Sequence, residues 1–71
     1  MNTNKFLGKM KEHGFTLDTL AQALGMSRMS LYNKVHGIRE WRLREFSKVC
    51  ELLDLSADEI QGIFFPEVLA K

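Results

Sequence analysis

Leu17, Leu20, Ala21 and Leu24 recur at i, i+3, i+4 and i+7 and are followed at once by Gly25. That is the apolar stripe of a helix only about two turns long. Thr16 is placed to cap its start, and Gly25 to end it. Two residues on, Ser27 offers a new N-cap, and Leu31 with Val35 forms an i, i+4 apolar pair before Gly37 stops the stretch. Helices this short are marginal alone, so they must be held by packing against one another and against the rest of the chain.

The other segments follow the same pattern. Phe6, Leu7 and Met10 mark a first helix, expected to begin with Thr3 as N-cap and to end before Gly14. Leu43, Phe46, Val49, Cys50 and Leu53 mark a fourth. Ser56-Ala57-Asp58-Glu59 is a capping box that starts a fifth helix, expected to end near Gly62. Ile63-Phe64-Phe65-Pro66-Glu67-Val68-Leu69 is apolar but interrupted by Pro66, and reads either as an extended arm or as a last helical turn. No run of four or more residues alternates β-branched and polar types as a half-buried strand requires. The expected fold is all-α: a compact five-helix domain over residues 1–62, followed by a short apolar C-terminal tail over 63–71.

With 71 residues the chain is one domain with a thin core. Its 45% hydrophobic and 27% charged residues are those of a folded chain rather than a disordered one. Cys50 is the only cysteine, so no internal disulfide can form, and its place on the apolar face of the fourth helix reads as a small buried hydrophobe. Together with His13 and His36 it is too scattered for a metal site, and no metal or other cofactor is expected. The longest uncharged run, Thr19–Ser27, is far too short for a membrane span, and Met1–Phe6 lacks the apolar segment of a secretory signal, so the expected location is cytoplasmic. No Ser, Cys or carboxylate stands beside a histidine in a triad or metal pattern, and no glycine-rich phosphate loop occurs, which argues against an enzyme.

The net charge of +1 conceals segregation. Residues 27–48 carry Arg28, Lys34, Arg39, Arg42, Arg44 and Lys48 against Glu40 and Glu45. The last 23 residues carry Lys71 against Glu51, Asp54, Asp58, Glu59 and Glu67. The middle therefore suits a polyanion, and the acidic end is either a solvated face or a complement to positive charge.

Two short helices separated by Leu24-Gly25-Met26-Ser27 meet the needs of a helix-turn-helix. Ala21 is small where the helices approach, Gly25 can take the left-handed conformation that turns the chain, and Met26 fills the inside of the turn. Leu31 and Val35 then face inward and leave Arg28, Met29, Tyr32 and Asn33 facing out. In Leu20-Ala21, Leu24-Gly25-Met26-Ser27, Leu31 and Gly37, the chain resembles the phage Cro and repressor helix-turn-helix family. Ser27 to Gly37 looks like that family's recognition helix. Trp41-Arg42-Leu43 and Leu55 to Ile60 resemble its fourth and fifth helices, and Ile63-Phe64-Phe65 with Val68 is similar to the ends of small Cro-like proteins of phages and prophages of Gram-positive bacteria. Two features depart from the pattern. Thr16 and Leu17 stand where many members have a phosphate-touching Gln, and Arg42 stands where a capping Ser or Thr is common.

The resemblance implies a lambda-repressor-like DNA-binding domain acting as a Cro-type transcriptional repressor in a bacterial host cell. A helix fits the major groove, where Arg28 can donate twice to guanine, Asn33 can pair with adenine, Met29 can touch a thymine methyl, and Tyr32 can hydrogen-bond or lie against the backbone. Thr16, Ser27, Lys34, Arg39, Arg42 and Arg44 are the candidate phosphate contacts, with Lys48 and His36 also within the basic segment. Trp41 reads as a core staple at the start of the fourth helix. The expected partners are double-stranded DNA and a second copy of the chain, forming a homodimer on a pseudo-palindromic operator with Phe64, Phe65 and Val68 as candidate contacts. The other reading of Phe64 and Phe65 is that both pack on the first helix of their own chain. No small-molecule ligand or membrane is expected. The alternative is a protein-interaction module, an antitoxin or anti-repressor that uses the same fold to mask a protein partner.

Overall fold

The computed structural model describes residues 1–69, with side chains through Glu67. Its elements are α1 (Thr3–Glu12), α2 (Leu17–Leu24), α3 (Arg28–Val35), α4 (Leu43–Leu52), α5 (Ala57–Phe64) and the single turn α6 (Pro66–Leu69). Among the described residues there is no strand, and no helix is long and apolar enough to cross a membrane.

Local chemistry sets the boundaries. Thr16 accepts from the Thr19 amide at 3.1 Å while Thr19 Oγ1 accepts from the Thr16 amide at 2.8 Å, a reciprocal cap for α2. Ser56 and Glu59 cap α5 in the same way. Gly25 has φ 72°, and the amides of Gly25 and Met26 donate to the carbonyls of Gln22 and Ala21 at 3.1 and 3.0 Å. This pair of bonds closes α2 and reverses the chain within three residues, in a conformation that costs a residue with a Cβ.

The first helix differs from expectation by one position. Asn2 is its N-cap, accepting from the Lys5 amide at 3.1 Å. Thr3, released from capping, donates its hydroxyl to the Val35 carbonyl at 2.8 Å and ties the start of α1 to the end of α3.

Phe6, Met10, Leu20, Ala21, Leu31, Val35, Val49, Leu53, Ile63 and Phe64 form the buried core. α2 packs on α3 and α4, and α1 packs on α5. Phe64 is its aromatic hub: its ring centroid lies 6.0 Å from Phe6, 5.7 Å from Trp41 and 4.8 Å from Phe46, each edge-on. Offset and edge-on pairs of this kind are the favoured aromatic geometry. Trp41 is thus a core staple, as its position before α4 suggests, although its Nε1 is buried without a hydrogen-bond partner among the described residues.

Three expectations are corrected by this packing. Helix five continues past Gly62 to Phe64, so Ile63 and Phe64 belong to the domain rather than to a tail. Phe64, proposed as a subunit contact, is buried in its own chain, whereas Phe65 is 48% exposed. Leu43, counted with the inward stripe of α4, is 79% exposed because it occupies the first position of that helix, before the stripe meets the core. The segment after α5 resolves as a helical turn opened by Pro66, a residue suited to the first helical position. Val68 lies in that turn, and its side chain is outside the described residues.

The two adjacent phenylalanines should separate cleanly in urea unfolding. Phe64→Ala is expected to cost about 3 to 5 kcal/mol, enough to unfold much of a domain this small, and Phe65→Ala less than about 1 kcal/mol. Equal losses would contradict the assignment of Phe64 as the hub.

Candidate nucleic-acid interface

The sequence of α3 is RMSLYNKV, and only Leu31, Lys34 and Val35 are buried. Ser27 starts the helix by accepting from the Ser30 amide at 3.1 Å, and its own hydroxyl donates to Ser30 Oγ at 3.1 Å. Its other side is exposed: Met29 is 66% and Tyr32 42% accessible, Arg28 stands open at the first turn, and Asn33 is half-buried. The Tyr32 ring lies 4.1 Å from that of His36, one turn on, which keeps the phenol along the helix.

After α3 the chain folds back on the helix. The Asn33 carbonyl accepts from the amides of Ile38 and Arg39 at 2.8 and 3.1 Å. This return places Arg39 and Arg42 beside Ser27, Met29, Ser30, Asn33, Lys34 and the Glu45 carboxylate around an open polar cavity of about 430 Å³. Cationic guanidinium groups there stand next to hydroxyls and an amide, the donor set that recognises phosphates and base edges.

Not every candidate is free to act there. Lys34 is buried, and its ammonium meets Glu45 Oε1 at 2.6 Å rather than solvent. The same oxygen accepts from the Arg42 amide at 3.0 Å. Glu45 thereby fastens α3 to the start of α4 and caps that start, where the Arg42 side chain makes no cap. Arg44 lies apart, lining with Lys48, Gln22 and Gly25 a separate hollow between α2 and α4. Thr16 sits at the start of α2 with its hydroxyl used in the cap, leaving that helix end to offer backbone amides. Arg28 makes a 3.5 Å contact through Nε with Asp18 Oδ1, a pair absent from the sequence-based candidates.

Burial pushes the Glu45 carboxyl up, but hydrogen bonds from Lys34 and the Arg42 amide, with their charges, outweigh it and hold the group below its ordinary value of 4.5. Burial pushes the Cys50 thiol up, as befits a half-buried hydrophobe rather than a nucleophile. Among the described residues, no group of three or more His, Cys, Asp or Glu is gathered where it could hold a metal.

A second surface has a different character. Trp41, Leu43, Phe46 and Phe65 line an apolar groove of about 510 Å³, with Arg39 and Glu40 at its rim. Ile38, 66% exposed, lies on the loop that leads to it.

Residues 1–67 match the family described as Protein of unknown function (DUF739), and the chain belongs to that family. Comparison with curated proteins and with solved structures gave no match.

The depressed Glu45 pKa fixes the sign of a pH effect. A carboxyl whose folded pKa is lowered stabilises the fold above its unfolded pKa, and that contribution disappears as pH falls through the folded value. Glu45→Gln is therefore expected to cost about 1 to 3 kcal/mol at pH 7, and the gap from wild type should narrow as pH falls below the ordinary carboxylate value of 4.5. Urea midpoints across pH 3 to 7 measure this, and a gap that does not narrow between pH 7 and pH 3 would contradict the role given to the pair.

Proposed function

We propose that α2 and α3 are a helix-turn-helix and that the chain is a sequence-specific DNA-binding transcriptional regulator of the Cro and repressor type. The observation that carries this reading is the outward face of α3, where Arg28, Met29 and Tyr32 are exposed and Met29 and the half-buried Asn33 line a cavity flanked by Arg39 and Arg42. An inward stripe of Leu31, Lys34 and Val35 holds the helix, so the outward residues are spared any packing duty. A helix so presented fits the major groove and offers its first turns to base edges.

In this reading Arg28 takes guanine O6 and N7, Asn33 takes adenine N6 and N7, and Met29 rests on a thymine methyl. Arg39 and Arg42 hold phosphates together with the amides at the start of α2, and Ser27 borders the same backbone. Lys34 is removed from the phosphate set, because its charge is engaged by Glu45. Operator occupancy would regulate by excluding polymerase or a competing repressor.

A single module of this size binds DNA weakly, so two copies would read a pseudo-palindrome with half-sites about one helical turn apart, roughly 34 Å. Phe65 and Leu43 on the apolar groove replace Phe64 as the contact for the second copy. The adjacent opposite charges Arg39 and Glu40 at the groove rim suit a two-fold contact, in which each residue meets its counterpart's complement. The same groove also favours a second reading, in which it seats an unrelated protein and the chain is an antitoxin or anti-repressor.

Selection of bound duplexes from a randomised DNA pool distinguishes the two. A symmetric motif with fixed half-site spacing is expected, with an affinity that falls steeply between about 50 and 200 mM salt. Arg28→Ala and Asn33→Ala should each relax one position of the motif by about 1 to 3 kcal/mol. No enrichment from a folded protein, together with a stable heteromeric complex on purification, would overturn the DNA reading in favour of the protein partner.

A further inference from the structure

Asp18 is the only charged residue of α2 and stands in its first turn. Its carboxylate lies 3.5 Å from Nε of Arg28, the first residue of α3, and both side chains are about two-thirds exposed. The pair therefore joins the first turns of the two helices across the Gly25 reversal, at the corner of the molecule where α3 begins its outward face. As an exposed ion pair it contributes little to stability. Its position is what makes it consequential.

We infer that Asp18 is a positioning residue for guanine recognition by Arg28, an inference that rests on the DNA-binding reading above. A guanidinium is a rigid planar fork, and a contact through Nε leaves the terminal Nη1 and Nη2 edge to make the two parallel hydrogen bonds that guanine O6 and N7 accept. An arginine without such a neighbour is free to turn the same charge onto any nearby phosphate, which adds affinity but carries no sequence information.

The carboxylate also acts on the helix end itself. The first-turn amides of α2 form an anion site, and a carboxylate within that turn opposes a phosphate there. Asp18 thus lowers sequence-blind attraction at the corner where the base contact is made. Discrimination gained by weakening the wrong interaction is a general route to specificity. Glu45 is turned through Oε1 to Lys34 and the Arg42 amide, whereas Asp18 stands exposed at the first turn beside Arg28.

The test uses the full chain, random-sequence duplex and the duplex selected by the wild type, in parallel with a guanine-to-adenine change at the position that Arg28→Ala relaxes. Asp18→Asn, at an exposed site, is expected to melt like the wild type. It should bind random duplex about three- to tenfold more tightly at low salt, with a log-log salt slope steeper by up to about one unit. Its guanine preference at that position should fall about fivefold, Asp18→Glu should restore part of it, and Asp18→Asn should have no effect on preference in the Arg28→Ala background. Unchanged or stronger guanine preference in Asp18→Asn, while Arg28→Ala still abolishes it, overturns the role of Asp18 and leaves the DNA reading standing. No duplex binding by the wild type overturns both.

Discussion

The docking of α3 is the constraint on which the rest of the molecule depends. An eight-residue helix with five exposed or half-exposed polar and thioether side chains has no stability of its own. It exists because Leu31 and Val35 enter the core and because Lys34 reaches Glu45 on the next helix. The Thr3 hydroxyl on the Val35 carbonyl and the folding back of Ile38 and Arg39 onto the Asn33 carbonyl close the far end. Anchoring is thus concentrated on one side and at the ends, and the outward face is left without structural work. That division of labour is what a reading helix requires, and it explains why a buried lysine is tolerated in so small a core: its charge is paired, and the pair ties two helices together.

Charge segregation along the chain has a corresponding spatial logic. The acidic end folds against the N-terminal helix, where Glu59 meets Lys9 at 2.9 Å and Glu67 lies 3.9 Å from the terminal ammonium. The hydrogen bond from Lys9, followed by that from the Ser56 amide, holds the Glu59 carboxyl below its ordinary value. These negative charges are therefore partly answered on the α1 and α5 side. Arg39 and Arg42 remain at the cavity beside α3, so the positive potential gathers there rather than being averaged over the surface.

Most of the fold was legible in the sequence, because each helix carries its own signals. The apolar stripes, the Thr16, Ser27 and Ser56 caps and the glycines at 14, 25 and 37 marked five helices, and all five are present among the described residues. Failures came where a local signal competed with a tertiary one. Thr3 is a good capping residue, but its hydroxyl is claimed by Val35 across the fold and Asn2 caps instead. Gly62 looked like a helix end, yet the burial of Ile63 and Phe64 carries α5 two residues further. At the candidate interface, residue types and helical spacing placed Arg28, Met29 and Tyr32 outward, which they are. The partners of Lys34 and Arg28, eleven and ten residues away, leave no periodic trace. Glu45 alone gave a hint, standing three residues after Arg42 in the spacing of a capping box.

In the proposed reading, the outward face of α3 and its flanking arginines meet duplex DNA. Amide chemical-shift mapping of the isotopically labelled protein, titrated with its selected duplex at low salt, tests it most directly. The largest changes are expected at residues 27–33, at Arg39 and Arg42, and at the start of α2, and they should reverse on adding salt. Changes confined to the groove of Leu43, Phe46 and Phe65, or to the α1 and α5 side with α3 unmoved, would contradict it.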